Sequence, residues 1–384
     1  MKVAIVHDWL VVDGGAEKVL HELLTLFPEA DLYSTVFHLP EEKRRFLNGK
    51  VPKTTFVQKL PFSGRLYRNY LFFMPLAIEQ FDFSSYDLVI SSSYAVAKGI
   101  ITGPNQVHVS YVHSPARYAW DMQHQYLRES GLNKGFKGIL ARWLLHRFRI
   151  WDARTANGVD HWIANSQFIA RRIKKIYGVT ATVVNPPVKL ERFEIKTEKD
   201  DFYLVASRLV PYKRIPLVVE AFSRTPDRKL VVIGDGPDMA NVKAKAGSNV
   251  TVLGYQPDDV LIDHLTRARA FIFAAEEDFG IMPLEAQACG TPVIAYGRGG
   301  ALETVVDGET GLFFQEQTAE AIVDAVDRFE QDGVAGTPGD FENHVKSFSS
   351  EVFRRKIREL VDAATTRDSL PSVRLRSVRA EQAA

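Results

Sequence analysis

One pattern runs through most of this chain of 384 residues: a short, almost continuously apolar run, a helix-length segment, then another apolar run. The runs are Val3–Val6, Leu88–Ser92, His108–Val112, Trp162–Asn165 and Thr182–Val184 in the first half. Tyr203–Ala206, Leu230–Ile233, Val250–Leu253, Ala270–Ala275, Pro292–Tyr296 and Gly311–Phe314 follow in the second. A strand that is apolar on both faces must be covered on both faces. That is the situation of a parallel sheet flanked by helices, not of a half-exposed antiparallel one. The fold class is therefore α/β. Adjacent prolines in Asn185-Pro186-Pro187 stop regular structure, a charged stretch follows, and the strand–helix alternation restarts at Phe202. The expected organisation is a first domain over 1–185, a linker over 186–201 and a second domain over 202–346. A closing helix is expected within 347–364, from about Ser350 to Ala363. Residues 365–384 hold Arg367, Arg374, Arg376 and Arg379 with little apolar content, and are expected to form a mobile tail.

Charge is divided unevenly. Residues 1–185 carry 23 Lys and Arg against 15 Asp and Glu, and the remainder carries 25 against 32. A basic half suits an anionic lipid surface, a nucleic acid or a phosphorylated ligand. No nucleic-acid motif is present, so no nucleic-acid partner is expected. Two stretches interleave cations with apolar residues. Residues 135–156 set Lys137, Arg142, Arg147 and Arg149 among Phe136, Ile139, Leu140, Trp143, Leu144, Phe148 and Trp151; residues 57–77 are a second such stretch. Each fits either a basic amphipathic surface on anionic lipid or a core element with a snorkelling rim. Having two in the basic half favours contact with an anionic membrane surface. No apolar run reaches the ~18 residues of a spanning helix. The opening MKVAIVHDWL is broken by His7 and Asp8 too early for a signal peptide. Cys289 is the only cysteine, which excludes a disulfide within the chain and fits a reducing compartment. Its apolar setting marks a small core residue. The expected location is cytoplasmic, peripheral on the inner face of the plasma membrane.

Open α/β sheets bind ligands beyond the carboxyl ends of their strands, and five successive strand ends in the second half carry ligand-type residues. Ser207, Arg208 and Lys213 follow one, Gly234-Asp235-Gly236 the next, and Gly254-Tyr255 the third. Glu276-Glu277-Asp278-Phe279-Gly280 and Gly297-Arg298-Gly299-Gly300 follow the last two. Arg208 and Lys213 suit a diphosphate, as cations a few residues apart with one able to bind in bidentate fashion. Gly280, Ile281 and Met282 precede Pro283 at the start of a helix, where free amides and the helix dipole favour an anion. Glu285 is expected in the first turn of that helix. There it is either a favourable partner of the dipole or an acceptor for ribose hydroxyls. In the first half, Gly14 and Gly15 precede a helix at about Ala16–Leu26 without forming G-x-G-x-x-G. His113 follows a strand and precedes Pro115, a position as readily structural as functional. No Asp-x-Asp occurs, and Glu276-x-Asp278 is a near miss, so no metal is expected.

Taken in order, Gly14-Gly15-Ala16-Glu17, Ser207-Arg208-Leu209 with Lys213, Gly234-Asp235-Gly236-Pro237, Leu253-Gly254-Tyr255 and the stretch EEDFGIMPLEAQACGTPVIAYGRGGALETV resemble the retaining glycosyltransferases of family 4, which have the GT-B fold. The resemblance covers Met1–Asp362. It implies two Rossmann-like domains with parallel sheets facing across a cleft, the closing helix returning to the first domain. Glu277 resembles the acid that contacts hydroxyls of the transferred sugar, and Glu285 the ribose acceptor. Phe279, Gly280, Ile281 and Met282 match the turn whose amides approach the sugar and diphosphate, and Arg208 and Lys213 match its cationic pair. Gly234 belongs to the same cradle, Gly254 and Tyr255 lie where the family places the base, and Gly14 and Gly15 face the donor phosphate across the cleft. The resemblance also raises His113 as a neighbour of the transferred sugar.

The stretches VAIVHDWLVVDGGAEKVL and YVHSPARYAWD look most like bacterial mannosyltransferases that build O-antigen or exopolysaccharide repeats. That implies GDP-mannose as nucleotide-sugar donor and a polyprenyl-diphosphate-linked saccharide as acceptor, with no cofactor. UDP-linked donors, a nucleotide-sugar epimerase and a non-catalytic nucleotide-sugar binder are the competing readings. Retaining hydrolases place two carboxylates about 5 Å apart. No such nucleophile is evident here, and the resemblance implies a front-face substitution.

Overall fold

The computed structural model describes residues 1–366. The expected tail therefore lies outside the described residues, except for Thr365 and Thr366, which are helical.

Two sheets, each wholly parallel, organise the chain. Strands β1 (Val3–His7), β2 (Asp31–Ser34), β3 (Lys53–Thr54), β4 (Leu88–Ser93), β5 (Val107–Val112), β6 (His161–Ala164) and β7 (Thr182–Val183) form the first, in the order β3-β2-β1-β4-β5-β6-β7. Strands β8 (Tyr203–Ala206), β9 (Leu230–Ile233), β10 (Val250–Gly254), β11 (Ala270–Phe273), β12 (Val293–Tyr296) and β13 (Gly311–Phe314) form the second, in the order β10-β9-β8-β11-β12-β13. Both are doubly wound, and strand order reverses between β1 and β4 and again between β8 and β11. Those are the topological switch points at which such sheets leave a crevice. The α/β class and the two Rossmann-like domains follow from the apolar runs, each of which is a strand. Strands β2 and β3 carry no such run: DLYS offers two apolar residues and KT none. They are strands because β1 supplies β2 with an edge, and β2 then supplies one to β3.

Alternation along each strand explains why both faces are covered. On β1, Ala4 and Val6 pack with Val89, Met74, Leu145 and Phe148, while Ile5 points into the opposite layer with Leu20, Leu23, Ile90 and Tyr111. In the second domain, Tyr203 and Val205 pack with Val218, Phe222 and Ile322, and Leu204 and Ala206 with Phe271, Ala286 and Cys289. Cys289 is buried, and burial pushes its thiol up, which suits a packing residue rather than a nucleophile.

The chain changes domain twice. Within 186–201 the Val188 amide donates to the Phe348 carbonyl at 2.8 Å, and Val188 bridges Ser349 in parallel register. The last helix, Ser350–Thr366, then lies on the first domain, with Phe353, Ile357 and Val361 in the same layer as Ile5 and Tyr111. Ser350 Oγ donates to Glu22 Oε1 at 3.0 Å, and Arg354 pairs with the other Glu22 oxygen. Glu22 is almost fully buried, so these two partners are what let its charge sit there.

The helix Gly135–Thr155 is apolar on two sides. Leu145 and Phe148 face the core, whereas Phe136, Ile139, Leu140, Trp143 and Ile150 are exposed. Phe62, Phe72, Phe73 and Leu76 of the second basic–apolar stretch are exposed as well. Among the described residues, no helix is long and apolar enough to cross a membrane.

Phe353→Ala is expected to lower stability by about 3–5 kcal/mol, the usual loss for a fully buried Phe. Urea unfolding of the full chain reads this, and a change within error would remove the closing helix from the core of the first domain.

Candidate active site

The carboxyl ends of β1 and β4 meet around Asp8. This carboxylate is fully buried and accepts four backbone amides: Tyr94 at 2.5 Å, Ala95 at 2.9 Å, and Val96 and Ala97 at 2.6 Å each. It ties the turn after β4 to the turn after β1. Beside it, Ser92 Oγ lies 3.0 Å from His7 Nδ1 and 2.8 Å from His113 Nε2. His113 stands just past β5 and is partly exposed. Burial of its ring and the neighbouring His7 push its imidazole down to about 3, so it is neutral at physiological pH. Gly14 caps the helix Gly15–Leu26, its amide held by Glu17 Oε2 at 3.0 Å.

The second domain presents its own strand ends opposite. Arg208 follows β8 and is exposed, with no ion-pair partner among the described residues. Gly234 (φ 137°) lies so close to this turn that a Cβ would stand 1.8 Å from the Ser207 carbonyl oxygen. That position excludes every other residue, and it packs the turns after β8 and β9 together. Beyond β11, Glu277 makes an ion pair with Lys213, both mostly buried. Burial and the nearby Arg117 guanidinium push the Lys213 ammonium down to about 7. The nearby Asp278 carboxylate opposes that shift, and Glu277 is the acid in direct contact with the ammonium. The Gly300 amide donates to the Glu277 carbonyl at 2.8 Å and steadies the turn from the β12 side. Gly280 is the N-cap of the helix Ile281–Ala288, whose first amides, Ile281 and Met282, have no acceptor within that helix. Gly254 ends β10 and its carbonyl accepts the Gly234 amide at 2.8 Å; Tyr255 next to it is 76% exposed.

One expectation needs correction. Glu285 is not in the first turn of its helix. The helix begins at Ile281, immediately after Gly280, so Glu285 sits one turn further along and is no close partner of the dipole. The Phe279 side chain is buried with Leu284, Val345 and Phe348, its ring 5.8 Å from that of Phe348, so this residue has only its backbone to offer the cleft, as expected of it.

Several residues that sequence reasoning missed join the domains. Lys18 Nζ donates to Glu285 Oε1 at 2.7 Å from the opposite side of the cleft. A Cβ on Gly15 would stand 3.3 Å from Ile281 Cδ1, so the glycine turn and the helix start face each other at van der Waals distance. Asp278 pairs with Arg172 at 3.2 Å and Arg117 at 3.3 Å, and Ser166 Oγ donates to its carbonyl at 2.5 Å. Glu303 accepts the Gln167 and Phe168 amides at 2.8 and 3.1 Å, capping a first-domain helix with a second-domain acid. Each partner lies more than 100 positions away in sequence, so spacing gave no signal. Asp278 carried one signal, as an acid left without a role beside Glu277. Glu276 is exposed and makes no ion pair among the described residues. Those residues also include no group of three or more His, Cys, Asp or Glu placed to hold a metal ion.

Comparison with known proteins agrees with this geometry. Residues 13–192 match the model of Glycosyltransferase Family 4, and residues 188–362 that of Glycosyl transferases group 1. A GDP-mannose-dependent alpha-(1-6)-phosphatidylinositol monomannoside mannosyltransferase of Mycolicibacterium smegmatis is 29% identical over 204 residues, 45% of this chain and 53% of the relative. The alpha-1,3/1,6-mannosyltransferase Alg2 of Schizosaccharomyces pombe is 24% identical over 373 residues, 81% of this chain and 70% of the relative. The match to the mycobacterial relative thus takes in about half of that protein's length. Among solved structures, the sucrose-phosphate synthase of Thermosynechococcus elongatus superposes with a TM-score of 0.70 at 18% identity, covering 94% of this chain and 99% of that one. Anabaena HepE in complex with UDP gives 0.67 at 16%, covering 94% and 100%. Identities this low speak for the fold alone. With two doubly wound domains facing across a cleft and the two models in tandem over residues 13–362, the chain is a glycosyltransferase of the GT-B fold.

Proposed function

We propose that this chain transfers a mannosyl group from GDP-mannose to a hydroxyl of a lipid-linked saccharide and retains the anomeric configuration. The observation that carries the reading is the convergence at the start of the helix Ile281–Ala288. The Ile281 side chain at that helix start meets Gly15 across the cleft, with the Lys213–Glu277 pair before the free amides in sequence and Glu285 behind. Such a slot offers donors to a diphosphate in its middle and a carboxylate to hydroxyls at each end. Mannose as the sugar rests on the mannosyltransferase relatives, and the lipid-linked acceptor on the first-half resemblance.

In this reading the acceptor oxygen bonds to the anomeric carbon as the bond from that carbon to the diphosphate oxygen breaks. The departing diphosphate oxygen takes the acceptor proton on the same face. Arg208, Lys213 and the helix amides stabilise the charge that builds on the leaving group, and they are in place before reaction. Glu277 exchanges part of its hold on Lys213 for sugar hydroxyls, and Lys18 releases Glu285 to the ribose. The diphosphate is matched by protein cations and amides, so we infer turnover without a metal. The exposed apolar residues of Gly135–Thr155 and of 62–76, set among cations, are proposed to rest on anionic lipid at the inner membrane face.

Incubation with radiolabelled GDP-mannose and a lipid-linked saccharide extract is expected to give a labelled lipid, undiminished by EDTA, with the α-linkage of the donor visible by NMR. Transfer from UDP-sugars alone, a strict Mg²⁺ or Mn²⁺ requirement, or release of an isomerised nucleotide sugar would each overturn the corresponding part. Lys213→Ala is expected to abolish transfer while the unfolding transition stays in place.

Lys213 has its own signature. Burial and Arg117 hold its ammonium down to about 7, so its charge is present below that pH and is lost as pH rises through it. Wild-type GDP affinity measured by calorimetry should therefore weaken as pH rises through about 7, and that of Lys213→Ala should be weak and flat over the same range. A wild-type profile as flat as that of the variant would mean that the Lys213 charge does not meet the diphosphate.

Co-sedimentation with phosphatidylglycerol vesicles, and much less with phosphatidylcholine, is the expected lipid behaviour. Trp143→Glu should weaken it by about tenfold. Equal binding to both lipids, or no effect of the variant, counts against this face.

A further inference from the structure

The chain neighbours of Glu277 and Lys213 are held by the first domain. Asp278, next to Glu277, pairs with Arg172 at 3.2 Å and Arg117 at 3.3 Å, and its carbonyl accepts from Ser166 Oγ at 2.5 Å. The Arg117 guanidinium also covers the ring of Tyr212, next to Lys213, 5.4 Å from its centroid. Glu303, on the short helix Ala301–Thr304 after β12, accepts the Gln167 and Phe168 amides at 2.8 and 3.1 Å. Ser166 Oγ accepts the Ile169 amide at 3.1 Å. The helix Gln167–Tyr177 thus has its first three amides satisfied, two of them by the other domain.

The two second-domain turns move as one body. The Gly300 amide donates to the Glu277 carbonyl at 2.8 Å, and a Cβ on Gly300 would stand 2.2 Å from Phe279 Cα. A contact made by Glu303 is therefore passed to the turn that carries Glu277. Each group in this clasp also has another partner when the domains part. Arg172 keeps Asp121 at 2.5 Å and Ser114 Oγ at 3.0 Å, both in its own domain. Asp278, Glu303 and the two helix amides turn to water. The clasp is therefore easy to break and remake, as repeated admission of donor and release of product requires. Lys18 and Glu285 also join the domains, but in the donor reading above that pair yields to the ribose. Asp278 and Glu303 have no such exchange to make, so their contacts remain to hold the halves together while the donor is bound.

We propose that Asp278 and Glu303 are positioning residues that make the seat of Glu277 depend on the approach of the two domains: docked on Arg172, Arg117 and the start of the helix Gln167–Tyr177, they hold the Glu277 carboxylate where it meets the transferred sugar. That Glu277 meets the sugar rests on the donor reading; the docking does not. An open cleft leaves the turn unbraced. A donor bound to the second domain alone then has its nucleotide contacts but not its sugar contact, and the grip on the sugar follows closure.

Hydrogen exchange of the ligand-free full chain, read by mass spectrometry, tests the docking. Asp278→Ala touches neither the Gln167 nor the Phe168 amide, yet it should quicken exchange of the peptide that holds them by about fivefold. Unchanged exchange there would overturn the coupling. Calorimetry with GDP and with GDP-mannose tests what the docking does. Asp278→Ala and Glu303→Ala should each weaken GDP-mannose binding by about tenfold, the scale of one hydrogen bond to a charged group, while GDP binding stays within about twofold. In a Glu277→Gln background, Asp278→Ala should add almost nothing, since it acts through Glu277. Equal losses of GDP and GDP-mannose affinity, or losses that multiply in the double variant, would sink the proposal. Arg117→Ala, on the other domain, should change both readouts in the same direction, and decides the matter if Asp278→Ala folds poorly. A wild type that binds GDP but not GDP-mannose would sink the donor reading instead, and hydrogen exchange would still decide the docking.

Discussion

The cleft floor of the first domain hangs on the buried Asp8 carboxylate and its four amide donors. Parallel strands deliver their loops to one end of a sheet but do not hold those loops together. Where strand order reverses, the loops after β1 and β4 diverge, and Asp8 closes the gap from one side to the other. Each of those buried amides left without an acceptor would cost about 1–3 kcal/mol. His7 precedes Asp8, and Ser92 ends the strand whose loop Asp8 holds, so the histidines flanking Ser92 and the glycine turn inherit their positions from this one contact. The second sheet solves the same problem differently. It packs glycine backbone against backbone, Gly234 beneath Ser207, where a side chain has no room.

Every charged group assigned to the donor, apart from Arg208, is engaged within the protein. Glu285 holds Lys18 across the cleft, and Glu277 holds Lys213. Partly buried charges are expensive to leave alone, and each of these pairs gives an acid a cationic partner before a ligand arrives. A nucleotide sugar brings both signs at once, hydroxyls for the acids and phosphates for the cations. It exchanges partners rather than exposing charges. Asp278, beside Glu277, takes no part in that exchange, because its two arginines and Ser166 lie in the other domain and join the halves at the edge of the site.

How much of this was legible in the sequence depends on distance along the chain. The parallel sheets were readable because a doubly covered strand advertises itself in a few consecutive residues. Strands β2 and β3 were not, since DLYS and KT become strands by what lies beside them. The turn from Glu277 to Met282 was readable because its chemistry is packed into one short segment. The start of the helix there was misplaced by using Pro283 as its marker, when Gly280 is the cap. Lys18 with Glu285, Glu303 with the Gln167 amide, and Asp278 with Arg172 are long-range pairs. In sequence each is an ordinary charged residue, and only the folded chain brings the partners together.

The two crossings between domains lie side by side, Val188 against Phe348 and Ser349. Two strands of chain pinned at one spot leave the halves a single easy axis of rotation, as two knuckles on one pin do for a door. Twisting or sliding would have to tear the pin. The first domain is also assembled from both ends of the chain, since Phe353 and Ile357 fill a layer begun by Ile5. A cut at the Asn185–Pro187 boundary therefore yields no exchangeable cassette: the front half would lack a wall of its own core, and the rear half would carry that wall away as a helix with its apolar face bare.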